Sequence, residues 1–203
     1  MLACDFICFI LQLWVVSNCK ATFGAARRMD YAQSLVDAGL PVHRYGGCFN
    51  NREKFSELTR AELNSFKFYL AFENSQHCTD YITEKFWEMS LNSGRVPVVW
   101  GPLKRDVEKV APTGSYIHTD DFQTPKQLVQ YLLYLDKHDE EYRKFFSWRE
   151  NPDSRTITLI NSMSTIPEKF LCDKLQKATQ KKVVDSVPDI IYGNERQECM
   201  RMK

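Results

Sequence analysis

The chain has 203 residues, a length that allows one large domain or two small ones with a proper hydrophobic core. Its 43% hydrophobic and 26% charged residues are typical of a globular protein and argue against global disorder. The net charge of +1 gives no reason to expect nucleic acid or an anionic membrane as the main partner, although a local basic pocket for phosphate is compatible with it. The seven cysteines show no metal-ligand spacing, so zinc is disfavoured, and their number favours an oxidising secretory lumen. If the others form bridges, the odd count leaves at least one thiol unpaired.

The N-terminal segment, residues 2–16, is almost entirely apolar. It is too short for a membrane span, which needs about 20 apolar residues, and it lacks the basic start of a signal peptide. We predict a buried strand at residues 13–17, with a membrane anchor as the alternative. The predicted organisation is an unassigned apolar lead-in (1–12), one domain (13–173) and a charged, weakly ordered tail (174–203).

Two strand–helix–strand units follow one another in the chain. The first has strands at 13–17 and 42–45 around a helix that ends at Gly39. The second has apolar strands at 66–72 and 96–100, and a helix that begins near Tyr81 and stops at 92–94. This alternation predicts an α/β fold with a Rossmann-like, doubly wound parallel sheet, which binds ligands at the carboxyl ends of its strands.

The remaining elements are shorter. Residues 50–64 are a helix-compatible connector, 106–110 predict a helix and 116–118 a strand. A helix at 126–135 begins after Pro125, and an aromatic-rich helix at 140–148 is expected to pack in the core rather than bind carbohydrate. Asp120 and Asp121 could be acidic ligands, but a loop is the simpler interpretation.

Polar side chains are concentrated in the loop between the strand at 66–72 and the helix that follows it. There, Glu84 suits sugar hydroxyls, Lys85 suits phosphate, and Tyr69 or Tyr81 could pack on a ring, as a sugar nucleotide requires. The plain alternative is that Glu84 and Lys85 are surface charges. Neither a Walker loop nor GxGxxG follows either strand, which disfavours ATP and dinucleotides. Arg28 begins the first helix beside the other strand–helix loop, where it could bind phosphate or be a solvated surface residue.

The motifs KFYLAFENS, DYITEK and VPVVWGP, in this order between residues 66 and 102, resemble the signature of the α-1,3-fucosyltransferases, family ten of the glycosyltransferases. WVVSN at 14–18 and SYIHTDDF at 115–122 are similar to the same family, as is the spacing of Arg28, Tyr31 and Leu35. The resemblance covers residues 14–149. It implies that the chain is the C-terminal, donor-binding half of a two-domain GT-B enzyme that uses GDP-fucose. It carries seven residues into that donor site: Arg28 and Lys85 on the diphosphate, Glu84 on the ribose hydroxyls, Glu73 at the fucose end, and Tyr69, Asn74 and Tyr81 along the walls.

The implied reaction transfers fucose, with inversion, to a GlcNAc-type hydroxyl of a glycan on a glycoprotein or glycolipid. The family's N-terminal acceptor domain, which carries the general base, has no counterpart before Trp14, so a truncated or partial chain is expected and its catalytic residue is unknown. Arginine and lysine can neutralise the diphosphate, so no metal or cofactor is expected. The family also implies the lumenal side of the Golgi membrane. Residues 76–80 are one residue longer than in many members, which moves Asp80 but not the block at 81–85.

Two alternatives stay open from the sequence. The chain could be a GDP-sugar-binding module without turnover, because the base-bearing domain has no counterpart. It could also be another Rossmann-like nucleotide-sugar enzyme, which a preference for UDP-sugars would reveal.

Overall fold

The computed structural model describes residues 12–78 and 80–163, and within them one parallel sheet organises the chain. Residues 1–11 of the predicted lead-in, residues 164–173 of the predicted domain and the predicted tail from Lys174 lie outside the described residues. The strands stand in the order β2-β1-β3-β4-β5, and every neighbouring pair is parallel. Their bounds are β1 Gln12–Val15, β2 Val42–Tyr45, β3 Phe68–Phe72, β4 Val96–Trp100 and β5 Ile117–His118.

The two central strands are buried on both faces. All five residues of β3 and all five of β4 are buried, as expected for a parallel sheet that is covered by helices on either side. Phe68, Leu70 and Phe72 point into the larger core cluster, whereas Tyr69 and Ala71 point into a cluster on the opposite face. This explains why the sequence shows continuous apolar runs here instead of an alternating pattern.

Helices cover both faces and make a three-layer α/β/α fold, which confirms the predicted doubly wound architecture. Helices α1 and α6 supply Leu35 and Leu132 to the larger cluster on one face, while residues on or beside α2 to α5 pack on the other. The side chain of Thr22 caps α1, and Thr124 with Pro125 starts α6. The helices are α1 Phe23–Asp37, α2 Arg52–Ser56, α3 Arg60–Asn64, α4 Glu84–Trp87, α5 Lys104–Val110, α6 Pro125–Lys137, α7 Asp139–Arg143, α8 Ser147–Glu150 and α9 Ser154–Met163.

Two predicted helices are interrupted. The helix expected from Tyr81 to residue 92 is the single turn α4, followed by a 3-10 turn at Leu91–Ser93. The hydroxyl of Ser90 donates to the carbonyl of Lys85, and its backbone angles (φ −113°, ψ −88°) leave the helical region, so the helix cannot continue. The predicted helix at 140–148 consists of α7, a 3-10 turn and α8; its Tyr142 and Phe146 pack partly buried against the core, as predicted.

The connections of the sheet define its ligand-binding edge. From β1 the chain runs to β2 on one side, and then crosses back to β3 on the other side of β1. In a sheet of this order the crevice at the carboxyl ends of β1 and β3 is the topological switch point, where doubly wound proteins bind their ligands. A disulfide between Cys19 and Cys48 joins the loop after β1 to the loop after β2 at the same edge. Within the described ranges, the helices are all too short or too polar to cross a membrane.

Candidate functional site at the β1/β3 switch point

The loop from β3 to α4 packs directly on the start of α1. The hydroxyl of Thr22 donates to the backbone carbonyl of Asn74. A Cβ on Gly24 would come within 2.7 Å of both the Asn74 carbonyl oxygen and the Ser75 Cα, so only glycine allows this approach. The two strand–helix junctions that the sequence singled out therefore meet at one place.

A buried carboxylate organises this junction. Glu73, 1% exposed, accepts hydrogen bonds at Oε1 from the backbone N–H and the hydroxyl of Thr83, both at 2.8 Å. Its Oε2 lies 3.3 Å from the ammonium of Lys85. The Lys85 Nζ also lies 2.9 Å from Thr83 Oγ1 and 2.9 Å from Glu84 Oε1. Three residues thus hold one ammonium at the carboxyl end of β3.

Glu84 differs from Glu73 because its side chain is 56% exposed. Partial burial favours the neutral carboxyl, but the hydrogen bond and the positive charge of Lys85 outweigh this and lower the pKa of Glu84. The side chain is therefore an ionised carboxylate at neutral pH, facing solvent beside the ammonium. A cation next to an exposed acceptor of hydroxyl protons is the pair that a sugar nucleotide needs.

Asn74 and Tyr81 lie together on the same loop. The Tyr81 hydroxyl donates to Asn74 Oδ1, and both side chains are half-buried. The loop between them has His77 and Asp80 in the left-handed region, with φ of +57° and +59°. The backbone N–H of His77 donates to the Gly101 carbonyl at 2.7 Å, which holds the loop against the end of β4.

Arg28 lies beneath the site rather than on its surface. The residue is 2% exposed, and its guanidinium donates to the carbonyls of Phe72, at 2.8 Å, and Asn18, at 2.7 Å. Burial lowers the pKa of Arg28, and the Glu73 carboxylate opposes this. The side chain therefore ties the carboxyl ends of β1 and β3 together. Its predicted contact with a diphosphate stays a prediction.

Tyr69 is also buried below the junction. It is 1% exposed, packs among Leu13, Phe66 and Ala71, and its hydroxyl lies 3.4 Å from the Val15 carbonyl. Burial raises the pKa of Tyr69, so its phenol stays protonated. Of the predicted site residues, those with surface at the junction are Asn74, Tyr81, Glu84 and Lys85, whereas those buried beneath it are Arg28, Tyr69 and Glu73.

Thr83 was not among the predicted site residues. Its backbone N–H and its hydroxyl both donate to the Glu73 carboxylate, and the hydroxyl oxygen accepts from Lys85. The only signal in the sequence is a threonine directly before a helix, which by itself indicates a cap and not a site. Its partner Glu73 is ten residues away, and no local pattern connects the two.

The predicted loop at Asp120 and Asp121 is a 3-10 turn at the end of β5. The side chain of His118, 1% exposed, accepts from the backbone N–H of Asp120 and contacts the Pro102 carbonyl at 3.1 Å. Among the described residues, His, Cys, Asp and Glu side chains form no group of three or more that could hold a metal ion.

Comparisons with known proteins give a matching family model and a set of relatives. A family model described as "Glycosyltransferase family 10 (fucosyltransferase) C-term" matches residues 10–190. The chain is 40% identical over 177 residues to the 3-galactosyl-N-acetylglucosaminide 4-alpha-L-fucosyltransferase FUT3 of Pongo pygmaeus, covering 87% of the chain and 44% of that protein. It is 45% identical over 139 residues to the glycoprotein 3-alpha-L-fucosyltransferase A of Drosophila melanogaster, covering 67% and 27%. The chain thus spans less than half the length of these relatives.

Solved structures share the fold. An α1,3-fucosyltransferase crystallised with GDP-fucose superposes with a TM-score of 0.58 at 23% identity, over 85% of this chain and 48% of that one. An α1,3-fucosyltransferase crystallised with GDP gives a TM-score of 0.52 at 26% identity, over 66% and 37%. The likeness supports the Rossmann-like assignment.

Proposed function

The chain belongs to glycosyltransferase family 10, and from that premise we propose that the β1/β3 edge of its sheet binds GDP-fucose as the donor of a fucosyl transfer. The observation that carries the proposal is the Lys85 ammonium, held by Glu73 and Thr83 at the switch point with the exposed Glu84 carboxylate beside it. A cation and a hydroxyl acceptor side by side match the diphosphate and the ribose of the donor.

Each predicted residue then takes a role that suits its exposure. Lys85 binds the diphosphate and neutralises the departing GDP, and Glu84 accepts from the ribose hydroxyls. Asn74 and Tyr81 line the wall of the site. The buried residues act from beneath: Arg28 contributes its positive charge to the diphosphate, and Tyr69 and Glu73 shape the floor and the fucose end.

The proposed reaction is an inverting α-1,3 transfer to a GlcNAc-type hydroxyl of a glycan on a glycoprotein or glycolipid. The acceptor oxygen attacks the anomeric carbon of fucose, the bond from that carbon to GDP breaks, and a general base takes the hydroxyl proton. We assign the base to none of the described residues. Lys85 and Arg28 supply the charge that a metal would otherwise provide, so no metal or cofactor is part of the proposal.

We propose the lumenal side of the Golgi membrane as the location. The Cys19–Cys48 disulfide supports an oxidising compartment of this kind, because such bonds persist in the secretory pathway and are rare in the cytosol. Membrane association is part of the proposal through the family alone.

Titration calorimetry with GDP-fucose and with UDP-galactose tests the donor. We expect saturable binding of GDP-fucose, with a Kd in the micromolar to millimolar range usual for enzyme substrates, and at least tenfold weaker binding of UDP-galactose. A preference for UDP-galactose would contradict the proposal and favour a different nucleotide-sugar enzyme.

A second candidate function is a GDP-sugar-binding module without turnover. The observation that favours it is that Lys85 and Glu84 offer a cation and a hydroxyl acceptor for binding, while none of the described residues is assigned as the general base. An assay of fucose transfer to N-acetyllactosamine separates the two functions: donor binding with transfer supports the enzyme, and binding without transfer supports the module.

A further inference from the structure

We infer that Thr83 is a positioning residue for the donor phosphates, because its hydroxyl holds the Lys85 ammonium in the site. The role towards donor rests on the proposed function, whereas the hold on Lys85 is a property of the protein alone. In the proposed function Lys85 binds the diphosphate and Glu84 binds the ribose, whereas Thr83 takes neither role.

The geometry fixes what the hydroxyl does. Thr83 Oγ1 lies 2.8 and 2.9 Å from the two carboxylate oxygens of Glu73, and 2.9 Å from the Nζ of Lys85. A hydroxyl has one proton to donate and lone pairs to accept with. Because a carboxylate only accepts and an ammonium only donates, Thr83 donates to Glu73 and accepts from Lys85. One oxygen therefore sets the position of both charged groups.

In this arrangement the Lys85 ammonium is not paired closely with its counter-ion, the Glu73 carboxylate. The direct distance from Lys85 Nζ to Glu73 Oε2 is 3.3 Å, longer than the 2.9 Å to Thr83. The third partner, Glu84, has a side chain that is 56% exposed, so it is the one that a phosphate oxygen can replace. Thr83 stays in place during that exchange, because its backbone N–H and its hydroxyl are both bound to the buried Glu73.

The hydroxyl does not act as an ordinary helix cap. Thr83 precedes α4, but within the described residues its side chain makes no capping hydrogen bond to the helix backbone. Loss of the hydroxyl therefore removes contacts to Glu73 and Lys85 and leaves the backbone bonds of α4 intact. This separates a positioning role from a merely structural one.

Three variants test the inference by calorimetry with GDP and with guanosine, which lacks the phosphates. Thr83→Val keeps the shape and removes the hydroxyl, and Thr83→Ser keeps the hydroxyl. Thr113→Val is the matched control, because Thr113 also bonds a carboxylate, that of Asp153, but precedes β5 at the other edge of the sheet. We expect Thr83→Val to weaken GDP binding about tenfold or more and guanosine binding less than twofold. Thr83→Ser and Thr113→Val should stay within about threefold of wild type for both ligands.

A measurement without ligand tests whether Thr83 holds Lys85 even if the wild type binds no GDP. Absence of GDP binding would contradict the proposed function but not this contact. In ¹⁵N-lysine-labelled protein, we expect a slowly exchanging Lys85 ammonium signal in wild type and in Thr83→Ser, and its loss in Thr83→Val. The Lys104 ammonium, paired with Asp121 at the surface, reports on general effects. An unchanged Lys85 signal in Thr83→Val would overturn the inference, as would equal losses of GDP and guanosine affinity or a Thr83→Ser variant as weak as Thr83→Val.

Discussion

Glu73 is a carboxylate in a place where an isolated charge would be very costly. Its side chain is 2% exposed, and three groups compensate the charge: the backbone N–H and the hydroxyl of Thr83, and the ammonium of Lys85. A buried ion pair contributes little net stability, because desolvation offsets its attraction, but removing one partner leaves an uncompensated group. The pair is therefore better understood as a device that orients Lys85 than as a source of stability.

Replacing Glu73 should show this asymmetry. We expect Glu73→Ala to lower the free energy of unfolding by about 3 kcal/mol, because Lys85 loses its buried counter-ion, and Glu73→Ala/Lys85→Met to recover part of that loss. Urea denaturation of the wild type, both single variants and the double variant gives the coupling energy. A loss below about 0.5 kcal/mol in Glu73→Ala would show that the carboxylate is not held as described.

The Glu84 carboxylate contacts the Lys85 ammonium, which a phosphate would also bind, so the two anions should compete for it. Glu84→Gln removes the competing charge, and with it about 1 kcal/mol of competing attraction for Lys85. We therefore expect inorganic pyrophosphate to bind about three- to tenfold more tightly. Calorimetric titration with pyrophosphate measures this, with Glu88→Gln, a change at another exposed glutamate, as control. Tighter binding in both variants would indicate a general charge effect, and weaker binding in Glu84→Gln would contradict the competition.

The sequence predicted which residues lie at the junction but not how deeply each is buried. Lys85 and Glu84 were expected at a strand–helix junction and lie there, with side chains 15% and 56% exposed. Arg28 and Glu73 were expected to face the ligand and are instead 2% and 1% exposed. Their partners, the Phe72 carbonyl for Arg28 and the Thr83 N–H for Glu73, are 44 and ten residues away. Local pattern carries no information about such contacts, so burial of a charged side chain could not be predicted.

At the scale of elements, apolar runs were the reliable signal and polar segments were not. β3 and β4 were predicted because a strand buried on both faces has only apolar positions. The helix after Tyr81 was predicted too long, because the hydroxyl of Ser90 competes for the Lys85 carbonyl and ends it. The pairing of Cys19 with Cys48 could not be read from seven cysteines, since spacing alone leaves many connectivities open.

The disulfide ties the carboxyl-end loops of β1 and β2, and its removal should loosen that edge. It closes a loop with a sequence separation of 29, for which the chain-entropy estimate is about 3–4 kcal/mol. We expect Cys19→Ala/Cys48→Ala to lower the free energy of unfolding by about 2–4 kcal/mol, measured by urea denaturation without reductant. An unchanged midpoint would show that the bond does not constrain the unfolded chain.

At the scale of the molecule, stability should depend on pH through His118, which is 1% exposed. Burial lowers the pKa of His118, with Lys104 acting in the same direction and Asp120 and Asp121 opposing it. His118 therefore binds a proton near pH 6.5 in the unfolded chain but only at a lower pH in the folded chain. The stability contribution is complete above about pH 6.5 and is lost as pH falls towards the folded pKa, by at most about 1.4 kcal/mol per pH unit.

Denaturant unfolding at pH 7.5 and pH 5.5 checks this sign. We expect the wild type to be less stable at pH 5.5, and His118→Gln to show a smaller difference between the two pH values. Carboxylates with a lowered pKa, such as Asp139, titrate well below this range and do not mask the effect. An equal pH dependence in the two proteins would mean that His118 is not the group responsible.

The whole fold brings two distant strand–helix junctions to one edge, and the account depends on Lys85 binding phosphate there. The most direct measurement is calorimetric titration of GDP into wild type, Lys85→Met and the control Lys137→Met, an exposed lysine at the end of α6, with a thermal melt to verify folding. We predict that Lys85→Met binds GDP about 10- to 100-fold more weakly, as for the loss of a charged hydrogen bond of about 1.5–3 kcal/mol, and that Lys137→Met binds like wild type. A folded Lys85→Met variant with wild-type affinity, or a wild type that does not bind GDP, would contradict the account.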